Sequence, residues 1–177
     1  GLVRSGIANM ILELLNKNDI DYYIYDGVKQ NPNVNNVLDG LAIARQNNVD
    51  CVVAVGGGSA IDTAKAIAII LANPEFEDVV SLDGVAETKN KAVPIIAIPT
   101  TAGTAAEVTI NYVITDEVNT KKMVCVDVHD IPLVAIIDPD LMEGMPQALA
   151  ASTGMDALTH AMEGYTTKAG WLVPDMF

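Results

Sequence analysis

Positive charge is scarce in this chain: ten lysines and arginines stand against 23 aspartates and glutamates, a net charge of −13 over 177 residues. A surface that tracks a phosphate backbone needs clustered Lys and Arg, so nucleic acid is not expected as a partner. Cysteine is nearly absent, and Cys51 and Cys125 lie far apart with no second cysteine at metal or redox spacing. That argues against a disulfide scaffold or a thiolate metal knot and predicts reduced, buried thiols in apolar strands. No apolar run approaches the ~20 residues of a membrane span, so no membrane partner is expected either. No secretory leader is read at the start, and a cytoplasmic protein is expected. The chain opens at Gly1 without an initiator Met, and both ends read as cut from a longer enzyme.

What the chain does have is apolar substance. Half its residues are hydrophobic and 19% are charged, a globular composition. Helical spacing of Ile7, Met10, Ile11, Leu14 and Leu15 predicts a helix over 2–15, and a tyrosine-rich run predicts a strand over 21–25. A second amphipathic helix is expected over 34–46, after the entry Gln30-Asn31-Pro32-Asn33. Near-continuous apolar runs predict buried strands over 51–55, 93–98 and 133–137, of the kind a parallel sheet covers on both faces. The polar segment 75–91 reads as a surface excursion, and 108–115 with 121–128 as a hairpin. Strands alternating with helices give an α/β fold with a mainly parallel sheet. From Pro146 onward only helical pattern remains, so a domain boundary is expected near 141–146.

The run Val52-Val53-Ala54-Val55-Gly56-Gly57-Gly58-Ser59 passes from strand to helix through three glycines. Bare glycines let the backbone take positive φ and lie close to a ligand. Ser59 reads as the N-cap of the helix, with Asp62 returning the cap, and the open N–H groups there suit a phosphate. A sharp turn between core elements is the alternative. Thr100, Thr101 and Thr104 follow another buried strand, and ligands of open α/β sheets bind outside the carboxyl ends of strands. Their hydroxyls either meet phosphate and ribose or cap a short helix through Glu107. Asp156 and His160 stand four apart on a predicted helix, so both emerge from one face as two corners of a metal site or as a surface hydrogen bond. His129, in a loop beside a strand, reads as a structural or surface residue. Lys122, Asn31 and Asn111 sit in turns or at strand ends where they can reach a ligand or remain solvated.

Three blocks in order, Gly56-Gly57-Gly58-Ser59-Ala60-Ile61-Asp62-Thr63-Ala64-Lys65, Ile98-Pro99-Thr100-Thr101-Ala102-Gly103-Thr104-Ala105-Ala106-Glu107 and Gly154-Met155-Asp156-Ala157-Leu158-Thr159-His160-Ala161-Met162-Glu163, resemble the signatures of the iron-containing (group III) alcohol dehydrogenases. Within that family the Thr-Ala-Ala-Glu ending and the run 108–116 are most similar to the lactaldehyde-reducing branch. The resemblance implies a Rossmann-like nucleotide-binding domain over 1–143, its first strand missing, and the start of an all-helical metal-binding domain over 144–177. It implies NAD and Fe2+ (or Zn2+) as cofactors, a small aldehyde and primary alcohol as substrates, and a homodimer. Carried over by position, Gly57, Gly58, Ser59 and Asp62 hold the pyrophosphate region, and Thr100, Thr101 and Thr104 meet phosphates and the nicotinamide side. Asn31, Asn111, Lys122 and Leu141 complete the cofactor wall, and Asp156 and His160 are two of the metal ligands, acting in catalysis through the metal. The family's acidic ribose contact and its remaining metal-binding histidines are expected outside this chain, which is therefore expected to be inactive by itself. A dehydroquinate-synthase-like lyase and a non-catalytic nucleotide-binding module are the alternatives.

Overall fold

In the computed structural model, strand β1 (Val52–Gly56) runs straight into an α-helix over Gly58–Ala72, and both hydrophobic clusters of the core form around that helix. Residues 6–168 are described. Positions 2–5 of the first predicted helix and 169–177 of the expected helical domain lie outside them. Helix α1 spans Ile7–Lys17, α2 spans Val34–Gln46, and Gly58–Ala72 is α3. The short strand β2 is Gly84–Val85, followed by β3 (Ile95–Pro99), β4 (Asn111–Asp116), β5 (Lys121–Val126) and β6 (Val134–Ala135), and α4 spans Gln147–Thr166.

One sheet has the order β1-β3-β6 and is parallel throughout. The other has the order β2-β5-β4, with β4 antiparallel to β5 as the predicted hairpin and β2 parallel to it. Helix α3 lies between the two and is hydrophobic nearly all round because it is covered nearly all round. Its first turns set Ile61 and Ala64 against Ala54, Ala97 and Ala106, small residues that let the helix lie close to the parallel sheet. Farther along, Ala66, Ile67, Ile69 and Ile70 join Val37 and Leu41 of α2 and Tyr112, Ile114, Met123 and Cys125 of the second sheet. Ile69 is fully buried in that larger cluster. Ile69→Ala is therefore expected to cost about 2–5 kcal/mol of unfolding free energy, read from the midpoint of chemical denaturation.

Helix α2 has the predicted bounds, and its entry is a reciprocal cap. Asn33 Oδ1 accepts from the Asn36 N–H at 2.9 Å, and Asn36 Oδ1 accepts from the Asn33 N–H at 3.3 Å. Three expectations need correction. Residues 21–25 form no strand: Tyr23 and Ile24 are exposed, and the segment is anchored by a side chain, Tyr25 Oη donating to the Asn36 carbonyl at 2.9 Å. The run 133–137 pairs only at Val134 and Ala135, and Leu133 and Ile137 are exposed, because β6 is the outer strand of its sheet. The segment 75–91 is more than an excursion, since Val79 and Leu82 are buried in the core under α2 and β5.

Candidate active site

The parallel register of β1 and β3 sets Gly56 opposite Pro99, so the glycine turn and the threonine loop leave the sheet at one edge. A further backbone bond, Thr100 N–H to the Gly56 carbonyl at 2.9 Å, ties the two together. Of the three glycines only Gly56 takes a positive φ, 152°. Gly57 is extended at φ −81° and ψ −170°, a conformation any residue adopts. Gly57 and Gly58 are bare for room. A Cβ on Gly57 would lie 3.0 Å from Thr101 Oγ1, and one on Gly58 would lie 3.0 Å from Thr104 Cγ2 and 3.1 Å from its Oγ1. Two hydroxyls thus lean over the mouth of α3.

The cap of α3 differs from the expectation. Gly57 is the N-cap, Ser59 lies within the helix, and no side chain caps its N–H groups. Those N–H groups, at the positive end of the helix dipole, stay open to an anion. Asp62 does not return the cap either, because its Oδ2 accepts from the Val113 N–H at 3.2 Å and ties α3 to β4. Burial pushes the Asp62 carboxyl up to about 6, against the opposing pull of the Val113 N–H and Lys65. The alternative role for the threonines does not materialise: no helix forms through Glu107, and Thr104 Oγ1 accepts from the Ala106 N–H in a turn.

Across the opening, Lys122 Nζ donates to Asn31 Oδ1 at 3.1 Å, joining two of the candidate cofactor residues. Asn31 has the left-handed φ of 53°, which asparagine tolerates well. Leu141 is buried at the end of a short turn over Pro139–Leu141, which the Asp138 side chain caps. On α4, His160 Nε2 stands 3.7 Å from Asp156 Oδ1 on one face, His160 exposed and Asp156 half-buried. Helix α4 reaches the threonine loop at Gly103, where a Cβ would lie 2.7 Å from the Thr153 carbonyl oxygen. That close approach brings α4 beside the glycine turn. All thirteen candidate residues line one open trough of about 2040 Å³, from Asn31 and Lys122 past the glycines to Asp156 and His160.

His129 is tied to its own neighbours. Its Nδ1 lies 2.8 Å from Thr88 Oγ1, and its N–H donates to Asp127 Oδ1 at 2.9 Å, outside the trough. Both cysteines are free; Cys125 is buried, and burial pushes its thiol up to about 12, while Cys51 is only half-buried. Sequence reasoning missed Lys65 and Asp130, both fully buried, Lys65 beneath the trough wall at Thr109 and Asn111. Lys65 is the one basic residue of α3, which runs unbroken and apolar after it, and that was the available signal.

The family model for iron-containing alcohol dehydrogenase matches residues 1–139. The chain belongs to the iron-containing alcohol dehydrogenase family. It is 55% identical to lactaldehyde reductase of Escherichia coli K12 over 174 residues, which are 98% of this chain and 46% of that protein. Among solved structures of iron-containing alcohol dehydrogenase folds, 1,3-propanediol oxidoreductase superposes with a TM-score of 0.91 at 43% identity, over 97% of this chain and 44% of that one. Sulfoacetaldehyde reductase from Bifidobacterium kashiwanohense, solved with NAD+, superposes with a TM-score of 0.85 at 37% identity, over 99% of this chain and 46% of its own. The chain thus spans a little under half the length of these relatives. Its mixed α/β architecture with a parallel sheet is that of the matching portion of the iron-containing alcohol dehydrogenases. Among the described residues no helix is long and apolar enough to cross a membrane.

Proposed function

We propose that the whole protein interconverts a small aldehyde and a primary alcohol, of the lactaldehyde and 1,2-propanediol type, using NAD and a divalent metal. One observation carries this reading: the uncapped glycine turn, the threonine hydroxyls and the Asp156–His160 pair line a single trough. The helix mouth fits a dinucleotide's pyrophosphate, because a side chain at Gly57 or Gly58 would fill the space a phosphate needs. Gly57, Gly58 and Ser59 bind it through backbone N–H groups, with Asp62 beside them shaping the wall. Thr100, Thr101 and Thr104 orient the phosphates and the nicotinamide side, and Asn31, Asn111, Lys122 and Leu141 form the remaining wall.

Asp156 and His160 fit a divalent metal in donor chemistry, a carboxylate and an imidazole that iron or zinc accepts. Among the described residues no group of three or more His, Cys, Asp or Glu is gathered as a metal site. In this reading two donors come from α4, and the others from outside the described residues. A metal held there would supply Lewis acidity at the substrate oxygen, and a nicotinamide held in the trough would supply the hydride chemistry. The protein's share is position, and no side chain need be a nucleophile. Residues 1–143 serve the nucleotide and 144–177 begin the metal-binding part; a cytoplasmic homodimer belongs to the same proposal. Family membership favours this reading over a dehydroquinate-synthase-like lyase.

Two assays on the 177-residue chain test the proposal. Fluorescence titration should show saturable NADH binding, whereas NADH oxidation by lactaldehyde with added ferrous or zinc ion should be undetectable with two donors. Absence of binding would overturn the nucleotide role of the glycine turn. Robust turnover would overturn the need for further ligands.

A further inference from the structure

Lys65 is the least expected residue of α3. Its side chain is fully buried, although a lysine in the interior requires partners for its charge. The ammonium finds them in the backbone of the trough wall: Nζ donates to the Thr109 carbonyl and, at 3.0 Å, to the Asn111 carbonyl, with Thr109 Oγ1 at 3.5 Å. Less than one helical turn earlier, Asp62 accepts from the Val113 N–H of the same strand. The two side chains thus grip β4 and its lead-in at alternate residues, 109, 111 and 113. Thr109, Asn111 and Val113 all line the trough together with the glycine turn that begins α3. Asp130, Asp62 and Glu107 supply the negative charge that offsets the desolvation of the ammonium.

We propose that Lys65 is a positioning residue for the nucleotide wall: by binding the Thr109 and Asn111 carbonyls it sets the distance between Asn111 and the phosphate-binding mouth of α3. Lys65 contacts no bound molecule itself, and the inference rests on the nucleotide reading of the trough given above. The geometry favours this over a role in steering anions, because all three N–H bonds of the ammonium point at groups of the chain and three carboxylates surround it.

The test is Lys65→Met, which keeps most of the stem and removes the three donors. Titrated well below its unfolding temperature, the variant should bind NADH about tenfold more weakly than the unaltered chain. In an Asn111→Ala background the same change should cost no more than about twofold, since the residue it positions is already gone. Amide exchange over 109–113 should rise at least about tenfold while the β5 amides away from this segment hold their protection. Lys65→Gln, with a shorter stem and two donors, should give intermediate values and serves in its place where Lys65→Met does not accumulate as folded protein. Unchanged exchange over 109–113 would overturn the clamp. Faster exchange with unaltered NADH affinity, or an equal loss in the Asn111→Ala background, would overturn the positioning role. Where the unaltered chain fails to bind NADH, the nucleotide reading falls, and the exchange data still decide whether Lys65 holds this wall.

Discussion

Gly58→Val should abolish NADH binding, by at least about a hundredfold, while leaving the fold in place. The two glycines at the mouth of α3 differ from Gly56 in the kind of constraint they carry. Gly56, at φ 152°, needs glycine for its backbone, so substitution there confounds strain with function. Gly58 opens the helix with ordinary geometry, and a Cβ placed on it meets the side chain of Thr104 at 3.0 Å. A branched side chain must therefore displace the Thr104 hydroxyl and occupy the space over the uncapped N–H groups. Both losses fall on the anion, and a hundredfold corresponds to about 2.8 kcal/mol, a reasonable loss for several charge-assisted hydrogen bonds. Circular dichroism checks the fold and fluorescence titration the affinity. Retained binding in a folded Gly58→Val protein would remove the helix mouth from the site.

The parts that sequence made legible are those where local chemistry and tertiary position agree. The α2 boundaries follow from Asn33 and its partner Asn36, a cap that depends on neighbours in the chain. The shared edge of the glycine turn and threonine loop follows from two buried parallel strands, whose carboxyl ends must lie together. Ser59 misled for the converse reason. Its residue type suits a cap, but the helix begins one residue earlier, at Gly58, which leaves the cap to a glycine and the mouth open. Asp62 likewise has the right spacing for a capping box, yet Val113, remote in sequence, supplies its partner. The 133–137 run shows that hydrophobicity reports what a residue would favour and not what covers it, since Leu133 is 73% exposed. Asp130 carried no periodic or spacing signal at all, because its burial is set by residues remote in sequence, Lys65 and Asp62 among its charged neighbours.

Asp130→Asn should stabilise the protein at alkaline pH and flatten the dependence of its stability on pH. Asp130 is fully buried, and neither carboxylate oxygen has a hydrogen-bond partner among the described residues. Burial is the main cause that pushes its carboxyl up to about 7; Lys65 pulls it down, and Asp127 and Asp62 push it further up. The unfolded chain releases the same proton near the ordinary 3.8. Between those values the folded state binds more protons than the unfolded one, so stability is greatest in acid and falls as pH rises, the loss being complete above about 7. Each tenfold difference in proton affinity is worth about 1.4 kcal/mol, which puts the cost of ionising Asp130 in place at roughly 4 kcal/mol. The amide avoids that cost, though Lys65 then loses its largest favourable neighbour, which trims the gain. Asp62, raised to about 6, contributes a slope of the same sign and persists in the variant, so a shallower decline should remain between about pH 4 and 6. Denaturant unfolding of both proteins from pH 4 to 9 measures this directly. The curves should converge near pH 4 and separate through neutrality with the variant above; parallel curves would show that Asp130 is already ionised and satisfied in the folded protein.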